Sequence, residues 1–155
     1  MTTKTIEIPL LQETDTAALA AQFATMLERG DSLLLDGPIG AGKSAFSRAL
    51  IRARFENDRL EVPSPTFTLV QTYTHDDGDI WHCDLYRLTH PDEIFELGLE
   101  EAVSDSICLI EWPERLGNGA PADGLRLVFS VRDQGHHVAI HAPANWHTRI
   151  ERLDV

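Results

Sequence analysis

Apolar and polar residues alternate near the start of the chain with two different periods. Residues 4–10, KTIEIPL, alternate with a period of two, which predicts a first strand. Residues 14–30 repeat their apolar positions at helical spacing, which predicts a helix with one buried face. We expect Thr14 or Asp15 to cap this helix and Gly30 to end it. The residues of its buried face would be Leu19, Phe23, Met26 and Leu27.

An apolar run, a glycine-rich loop and a second helical pattern come next. Residues 32–37, SLLLDG, form a short apolar run that ends in turn residues, as a buried parallel strand does. Residues 43–55, KSAFSRALIRARF, again repeat apolar positions at helical spacing. The sequence therefore predicts a strand, a glycine loop and a helix in direct succession.

The middle of the chain predicts two strands, short helices and another buried strand. Residues 64–75 and 78–86 are rich in β-branched and aromatic residues and flank an Asp-Asp-Gly turn, which predicts a pair of strands. Residues 91–105 begin with a proline suited to a first helical turn and predict one or two short helices. Residues 106–112, SICLIEW, are typical of a second buried strand.

The last third of the chain predicts a hairpin and a helical tail. Residues 124–142 alternate on both sides of Asp133–Gly135, which predicts an antiparallel hairpin, and the tail from Asn145 is expected to be helical. Strands and helices alternate early and the hairpin comes late. The predicted fold class is therefore α/β: one domain over residues 1–155, with a mixed β-sheet and helices on both faces.

Composition and charge narrow the function classes. A hydrophobic content of 43% and a charged content of 25% are ordinary for a globular domain of 155 residues. No apolar run is long enough to span a membrane, and the N-terminal stretch lacks a secretion signal, so we expect a cytoplasmic protein without a membrane partner. The formal net charge of −12 repels polyanions, so sequence-independent nucleic-acid binding by this chain alone is not expected.

The glycine-rich loop carries the strongest chemical signal in the sequence. Residues 37–44, GPIGAGKS, satisfy the phosphate-binding pattern G-x-x-x-x-G-K-[ST]. Glycines let successive backbone N–H groups point at one anion, and the following helix adds the partial positive charge of its N-terminus. Lys43 would then reach the β- and γ-phosphates, and the hydroxyl of Ser44 would bind Mg²⁺. The predicted domain is thus P-loop NTPase-like.

A phosphate-transfer site also needs an acidic residue at a strand end. Glu111 closes the run SICLIE and Asp84 closes DIWHCD. We prefer Glu111 for Mg²⁺ or its water, because the apolar strand delivers it to the sheet edge. Asp84 could serve the same site or form a turn.

Two further features bear on the chemistry of this site. Ser64-Pro65-Thr66 lies between the P-loop helix and the next strand, where a loop that senses the γ-phosphate would offer a hydroxyl to the metal. The same tripeptide could equally be an ordinary turn. No arginine finger is evident beside the glycine loop, which predicts weak hydrolysis by the isolated chain and completion of the site by a partner.

The other reactive side chains form no recognisable set. His75 and His82 could face each other across a hairpin, but no histidines and cysteines share the spacing of a zinc site. Trp112 follows Glu111 and could lie near a nucleotide or cap the core. A serine hydrolase is not supported, because the nucleophile-elbow motif is absent from the sequence.

Four motifs in order resemble one known family. GPIGAGKS, SPTFTLV, HCDLYRL and SICLIEWPE occur with short separations, and together they resemble the TsaE (YjeE) family of small bacterial P-loop ATPases over nearly the whole chain. The resemblance implies a role in making threonylcarbamoyladenosine in tRNA. It also implies that ATP binding and hydrolysis, with Mg²⁺, drive turnover of a complex of the TsaB and TsaD proteins. TsaD would carry the transfer chemistry, and tRNA would be met only through that complex.

The same resemblance implies roles for individual residues. It assigns Thr66 to the switch-like loop and places Asp84 near the metal or the partner surface. It also implies that Ser44 and Glu111 bind Mg²⁺. The adenine base would rest between Gln12 and the turn that ends at Gly135. The expected catalytic residues are Lys43, Glu111, Asp84 and Thr66. The expected nucleotide-binding residues are Gly37, Gly40, Ala41, Gly42, Lys43, Ser44, Ala45, Gln12 and Gly135.

The loop departs from the usual family pattern, G-D-L-G-A-G-K-T, at two positions. Pro38 replaces the acidic residue, and Ser44 replaces threonine while keeping the hydroxyl. We expect phosphate binding to survive and the hydrolysis rate to differ. Two other functions use the same loop: a small-molecule kinase, which needs an acceptor pocket and a lid, and a nucleotide-dependent binding module that never hydrolyses.

Overall fold

One mixed sheet runs through the chain in a computed structural model that describes residues 3–155. The strands are β1 Lys4–Leu10, β2 Ser32–Asp36, β3 Val70–Tyr73, β4 Ile80–Asp84, β5 Ile107–Glu111, β6 Leu125–Arg132 and β7 Gly135–Ala142. Their order across the sheet is β1-β7-β6-β2-β5-β4-β3. The four central strands β6, β2, β5 and β4 pair in parallel, and the outer pairs are antiparallel. The predicted mixed sheet and late hairpin are confirmed.

Helices cover both faces of this sheet, also as predicted. They are α1 Glu13–Met26, α2 Lys43–Arg54, α3 Asp92–Glu96, α4 Leu99–Asp105 and α5 His147–Ile150, with 3₁₀ turns at Pro113–Gly119 and Ala144–Trp146. Successive side chains of β2 point to opposite faces, so Leu33 joins the core under α1, α2 and α5, while Leu34 joins the core under α3 and α4. The two cores hold the parallel strands in place from both sides.

Helix α1 begins earlier and ends earlier than the sequence predicts. Gln12, with extended backbone, is its N-cap; its N–H donates to Oδ2 of Asp15 at 3.0 Å, so Asp15 serves a capping box and is not itself the cap. The helix ends at Leu27, whose backbone is extended, rather than at Gly30. The guanidinium of Arg54 on α2 donates to two carbonyls of the last turn, which satisfies the helix end.

The strand predicted over residues 64–75 is much shorter in the structure. Only Val70–Tyr73 is strand, because Leu69 has a φ of +69° and its N–H donates to the carbonyl of Pro65 at 2.7 Å. This contact turns the chain back on itself, so residues 64–69 form an irregular loop beside the end of β4.

The remaining elements follow the predicted order. The short helices, the buried strand β5, the hairpin and the helical tail all form within the predicted segments, and β4 ends at Asp84 rather than at Tyr86. In residues 3–155, no helix is long and apolar enough to cross a membrane. The predictions about a secretion signal and about one domain over residues 1–155 also include Met1 and Thr2, which lie outside the described residues.

Candidate functional site

The carboxyl ends of three parallel strands meet at one edge of the sheet. Asp36 ends β2, Asp84 ends β4 and Glu111 ends β5, and the glycine loop joins β2 to α2 at this same edge. Open α/β sheets bind their ligands at such an edge. A cleft of about 420 Å³ lies there. The predicted site residues that line it are Gly40, Gly42, Lys43, Ser44, Ala45, Thr66, Asp84 and Glu111.

The loop glycines adopt backbone conformations that other residues rarely reach. The φ angles are +133° at Gly37, +82° at Gly40 and +111° at Gly42, and Gly42 is the N-cap of α2. A Cβ at Gly37 would lie 2.4 Å from the carbonyl oxygen of Phe129, whereas a Cβ at Gly40 would meet no atom within 4 Å. Gly37 therefore sits against the sheet, and Gly40 faces the open cleft, as a phosphate cradle requires.

Two small residues of the loop differ in their access to the cleft. Ala41 is fully buried, and its N–H donates to the carbonyl of Pro38 at 3.2 Å. Ala45, in the first turn of α2, is exposed and lines the cleft. In this conformation Ala41 supports the fold of the loop, and Ala45 borders the space that a ligand would occupy.

The lysine of the motif is held inside the protein. Lys43 is only 4% exposed; its Nζ donates to the carbonyl of Gly37 and lies 3.4 Å from the ring centre of Trp112. Burial lowers the pKa of the Lys43 ammonium, although the carboxylates of Glu111 and Asp84 oppose this shift. Trp112 lines the cleft and also packs against the core under α3 and α4, so both of the positions that the sequence left open are occupied by its one side chain.

The serine of the motif is joined to the acidic end of β5. The Ser44 hydroxyl donates to Oε1 of Glu111 at 3.1 Å. The other oxygen of that carboxylate, Oε2, lies 2.7 Å from Nε2 of His82 on β4. His82 does not face His75, as the hairpin interpretation allowed; Gln71 stands opposite it in the β3–β4 register. Side chains at alternate positions of β4 share a face, so the spacing His82-x-Asp84 places His82 on the same face as Asp84 but does not reveal its contact with Glu111.

Asp84 and Thr66 are also brought together. The Thr66 hydroxyl donates to Oδ2 of Asp84 at 3.0 Å, and the N–H of Tyr86 donates to Oδ1 at 3.1 Å. Ser64 Oγ lies 2.7 Å from the Thr66 hydroxyl. The carboxylate therefore fixes both the turn after β4 and the loop of residues 64–69, which agrees with the turn interpretation, while its service to the phosphate site stays a prediction.

Sequence reasoning missed an arginine in the cleft. Arg87 lines the cleft, and its guanidinium carbon lies 4.3 Å from the ring centre of Phe67 in the loop of residues 64–69. The absence of an arginine finger beside the glycine loop stays a prediction, because the guanidinium of Arg87 is stacked on Phe67. The HCDLYRL motif held the signal, because Arg87 closely follows Asp84 at the same edge of the sheet.

A second cavity of about 410 Å³ adjoins the first and holds the two residues expected at the base. Gln12 and Gly135 line it together, and it shares Gly42 and Ala45 with the cleft. A Cβ at Gly135 would lie 2.8 Å from Cα of Leu11, so the hairpin turn packs directly on the start of α1. The structure thus brings the two predicted residues to one cavity beside the loop.

The donor set of the cleft suits a cation shared with phosphate better than a closed protein cage. Among residues 3–155, no three His, Cys, Asp or Glu side chains are arranged to hold a metal ion. Mg²⁺ commonly takes one or two protein oxygens and completes its shell with substrate phosphates and water.

Comparison with known proteins identifies the family. The family model described as "Threonylcarbamoyl adenosine biosynthesis protein TsaE" matches residues 10–138, which include the glycine loop and all three acidic strand ends. The chain belongs to the TsaE family. The resemblance found in the sequence is therefore confirmed, and with it a place in tRNA threonylcarbamoyladenosine biosynthesis.

Individual TsaE proteins match over most of their length. The chain is 47% identical over 124 residues to the tRNA threonylcarbamoyladenosine biosynthesis protein TsaE of Rickettsia bellii, which covers 80% of this chain and 85% of the relative. It is 39% identical over 109 residues to the protein of that name from Aquifex aeolicus, covering 70% and 77% respectively. The match therefore does not depend on one genus.

A solved structure supports the fold separately. The crystal structure of Bacillus subtilis YdiB superimposes with a TM-score of 0.78, covering 97% of this chain and 93% of YdiB, at 24% sequence identity. At that identity the comparison bears on the fold alone. It agrees with a single mixed α/β domain.

Proposed function

We propose that this TsaE-family chain binds ATP with Mg²⁺ and hydrolyses it slowly, as an accessory protein for the threonylcarbamoyladenosine modification of tRNA. The contact that carries this proposal joins the Ser44 hydroxyl to Glu111 at 3.1 Å. It unites the hydroxyl of the phosphate loop with the acidic strand end, the two groups that P-loop NTPases use at their metal.

Binding of the phosphates is supported by the form of the loop. Gly37, Gly40 and Gly42 hold the backbone in positive-φ conformations, and α2 begins directly after them with its N-terminus at the cleft. Backbone N–H groups and a helix N-terminus together favour an anion. Lys43 is the cation nearest to this loop, and its Nζ already contacts the Gly37 carbonyl.

The residues present also fit Mg²⁺. The Ser44 hydroxyl and the Glu111 carboxylate would hold the ion, and Asp84 offers a further carboxylate in the same cleft. Oxygen ligands of this kind are those that Mg²⁺ prefers. Bound there, Mg²⁺ would offset the negative charge of the phosphates. Thr66 and Asp84 would link the metal site to the loop of residues 64–69.

Slow hydrolysis by the isolated chain has a structural reason. Lys43 is buried, is hydrogen-bonded to its own loop and lies against Trp112, so it must leave these contacts before it can bind a phosphate. Arg87 stands in the cleft, but its guanidinium is stacked on Phe67. A partner that rearranges these contacts would raise the rate.

We propose that the partners are TsaB and TsaD, and that tRNA is met only through their complex. Family membership supports this assignment. The net charge of −12 supports it too, because such a chain repels tRNA on its own and favours a basic protein surface. A cytoplasmic location is part of the same proposal.

The decisive experiment measures free phosphate released from Mg²⁺-ATP by the purified chain, alone and with TsaB and TsaD. We expect slow release that rises when the partners are added. Glu111→Gln should keep ATP binding and lose turnover by about 100-fold or more, because it removes the charge that would serve the metal. Glu100→Gln is the matched control, since Glu100 is exposed and does not line the cleft.

Three outcomes would contradict parts of this proposal. Phosphate transferred to a small molecule would indicate the kinase. ATP binding without turnover, even with partners, would indicate the binding module. A pull-down from a bacterial lysate that retains neither TsaB nor TsaD, with or without ATP, would contradict the proposed partnership.

A further inference from the structure

His82 and Glu111 form a buried pair in the middle of the candidate site. Each is 2% exposed, and Nε2 of His82 lies 2.7 Å from Oε2 of Glu111. The two residues lie on the neighbouring parallel strands β4 and β5, at the face that packs toward α2. A histidine at this position has no access to solvent.

Burial of the His82 imidazole destabilises the folded state unless the contact with Glu111 offsets this effect. Its second nitrogen, Nδ1, is buried and has no hydrogen-bond partner among the described residues. An unpaired buried polar atom destabilises the folded state. An apolar side chain would fill the same space without that cost. The position is therefore better suited to holding Glu111 than to packing the core.

Each of the two oxygens of the Glu111 carboxylate has its own hydrogen-bond partner. Oε2 is engaged by His82, and Oε1 accepts from the Ser44 hydroxyl. A glutamate side chain has three rotatable bonds, so one contact alone would leave its carboxylate free to turn. Two contacts, one from β4 and one from α2, fix its plane.

We propose that His82 is a positioning residue that orients the Glu111 carboxylate toward Ser44 and the cleft. The proposal rests on the proposed ATPase function for its effect on rate. Because an ionised carboxylate only accepts, Nε2 of His82 is the donor to Oε2 of Glu111 across the 2.7 Å contact. Groups that orient the ligands of a metal commonly change activity by about 10- to 100-fold when removed.

Two substitutions separate positioning from packing. His82→Leu replaces the imidazole by an apolar side chain of similar size and removes the hydrogen-bond donor. We expect kcat to fall about 10- to 100-fold, while KM and the Kd for ATP change little. His82→Gln places an amide N–H near the position of Nε2 and should restore most of the rate. In the Glu111→Gln background, His82→Leu should cause no further loss, because the two residues act as a unit.

A measurement without nucleotide tests the contact independently of turnover. Nitrogen NMR of imidazole-labelled protein should show His82 with its proton on Nε2, and Glu111→Gln should shift that signal. If the wild-type chain shows no turnover, the proposed ATPase fails, while this spectrum still reports on the contact.

Two results would overturn the positioning role. One is an Nε2 of His82 that carries no proton in the wild-type protein. The other is a loss of rate in His82→Leu that matches its loss of folded protein, measured by thermal unfolding, with no recovery in His82→Gln.

Discussion

Gly37 and Gly40 belong to the same loop, but substitution by alanine should affect them very differently. The φ of Gly37 is +133°, and a Cβ there would lie 2.4 Å from the carbonyl oxygen of Phe129 on β6. The φ of Gly40 is +82°, and a Cβ there would meet nothing within 4 Å. Both positions impose backbone strain on alanine, but only Gly37 adds a clash with the backbone of the sheet.

These contacts set the size of the effect. A non-glycine residue in a sparsely populated backbone region costs about 1 to 3 kcal/mol. Forcing a methyl group into a packed site adds about 1 to 3 kcal/mol, and a strand carbonyl cannot move aside as a side chain can. We expect Gly37→Ala to lower the free energy of unfolding by about 3 kcal/mol or more. Gly40→Ala should lower it by about 1 to 2 kcal/mol.

Urea unfolding followed by circular dichroism measures both values. At a slope of about 2 kcal/mol per molar urea, Gly37→Ala should lower the midpoint by about 1.5 M or more and Gly40→Ala by about 0.5 to 1 M. Unchanged slopes would show that the difference lies in stability. If the two variants lost equal stability, the close packing of Gly37 on Phe129 could not be what fixes the loop.

Two further predictions concern a buried thiol and the arginine of the cleft. Burial raises the pKa of the Cys108 thiol from 9.0 to about 12. Below pH 9 the thiol is neutral in both the folded and the unfolded protein, so its contribution to stability is fully present. That contribution is lost as the pH rises from 9 to 12, because the unfolded protein ionises first. Between pH 8 and pH 10 the wild-type free energy of unfolding should therefore fall by about 1.4 kcal/mol more than that of Cys108→Ala; equal falls would refute the burial effect. Arg87→Ala should lower ATP turnover about tenfold, whereas Arg115→Ala should not, because only Arg87 lines the cleft. Phosphate release from both variants at equal folded fraction decides this, and equal rates would exclude Arg87.

The phosphate loop and the acidic strand ends could be predicted from the sequence because each depends on local pattern. The glycine motif specifies its own turn, and apolar runs that end in Glu111 or Asp84 bring those carboxylates to one edge of any parallel sheet. The contact of His82 with Glu111 could not be predicted in the same way. It depends on which strands are neighbours and on their register, and neither is visible in one segment.

The failures at element boundaries have the same origin. Thr14 and Asp15 are better helix caps by residue type than Gln12, yet the chain leaves β1 in a direction that makes Gln12 the cap. The residues before β3 have strand propensity, yet the bond from Leu69 to Pro65 turns them into a loop. Local bonds set the conformation in both cases, and contacts with other elements hold it: the hairpin turn packs on Leu11 before α1, and the Thr66 hydroxyl donates to Asp84 at the end of β4. Together these contacts outweigh residue preference, which spans about 1 kcal/mol per residue or less.

The glycine loop is held by contacts that, under the proposed function, a nucleotide would have to replace. The Lys43 ammonium contacts a carbonyl dipole of Gly37 and the face of the Trp112 ring, while burial lowers its pKa. A phosphate carries full negative charge, so exchanging these partial charges for it strengthens the interaction of the ammonium. The exchange also frees Trp112, which contacts Tyr86 with 5.0 Å between ring centres, next to the loop of residues 64–69. Phosphate binding would therefore change contacts outside the glycine loop, at the rim of the cleft where Phe67 is 79% exposed and accessible to a partner.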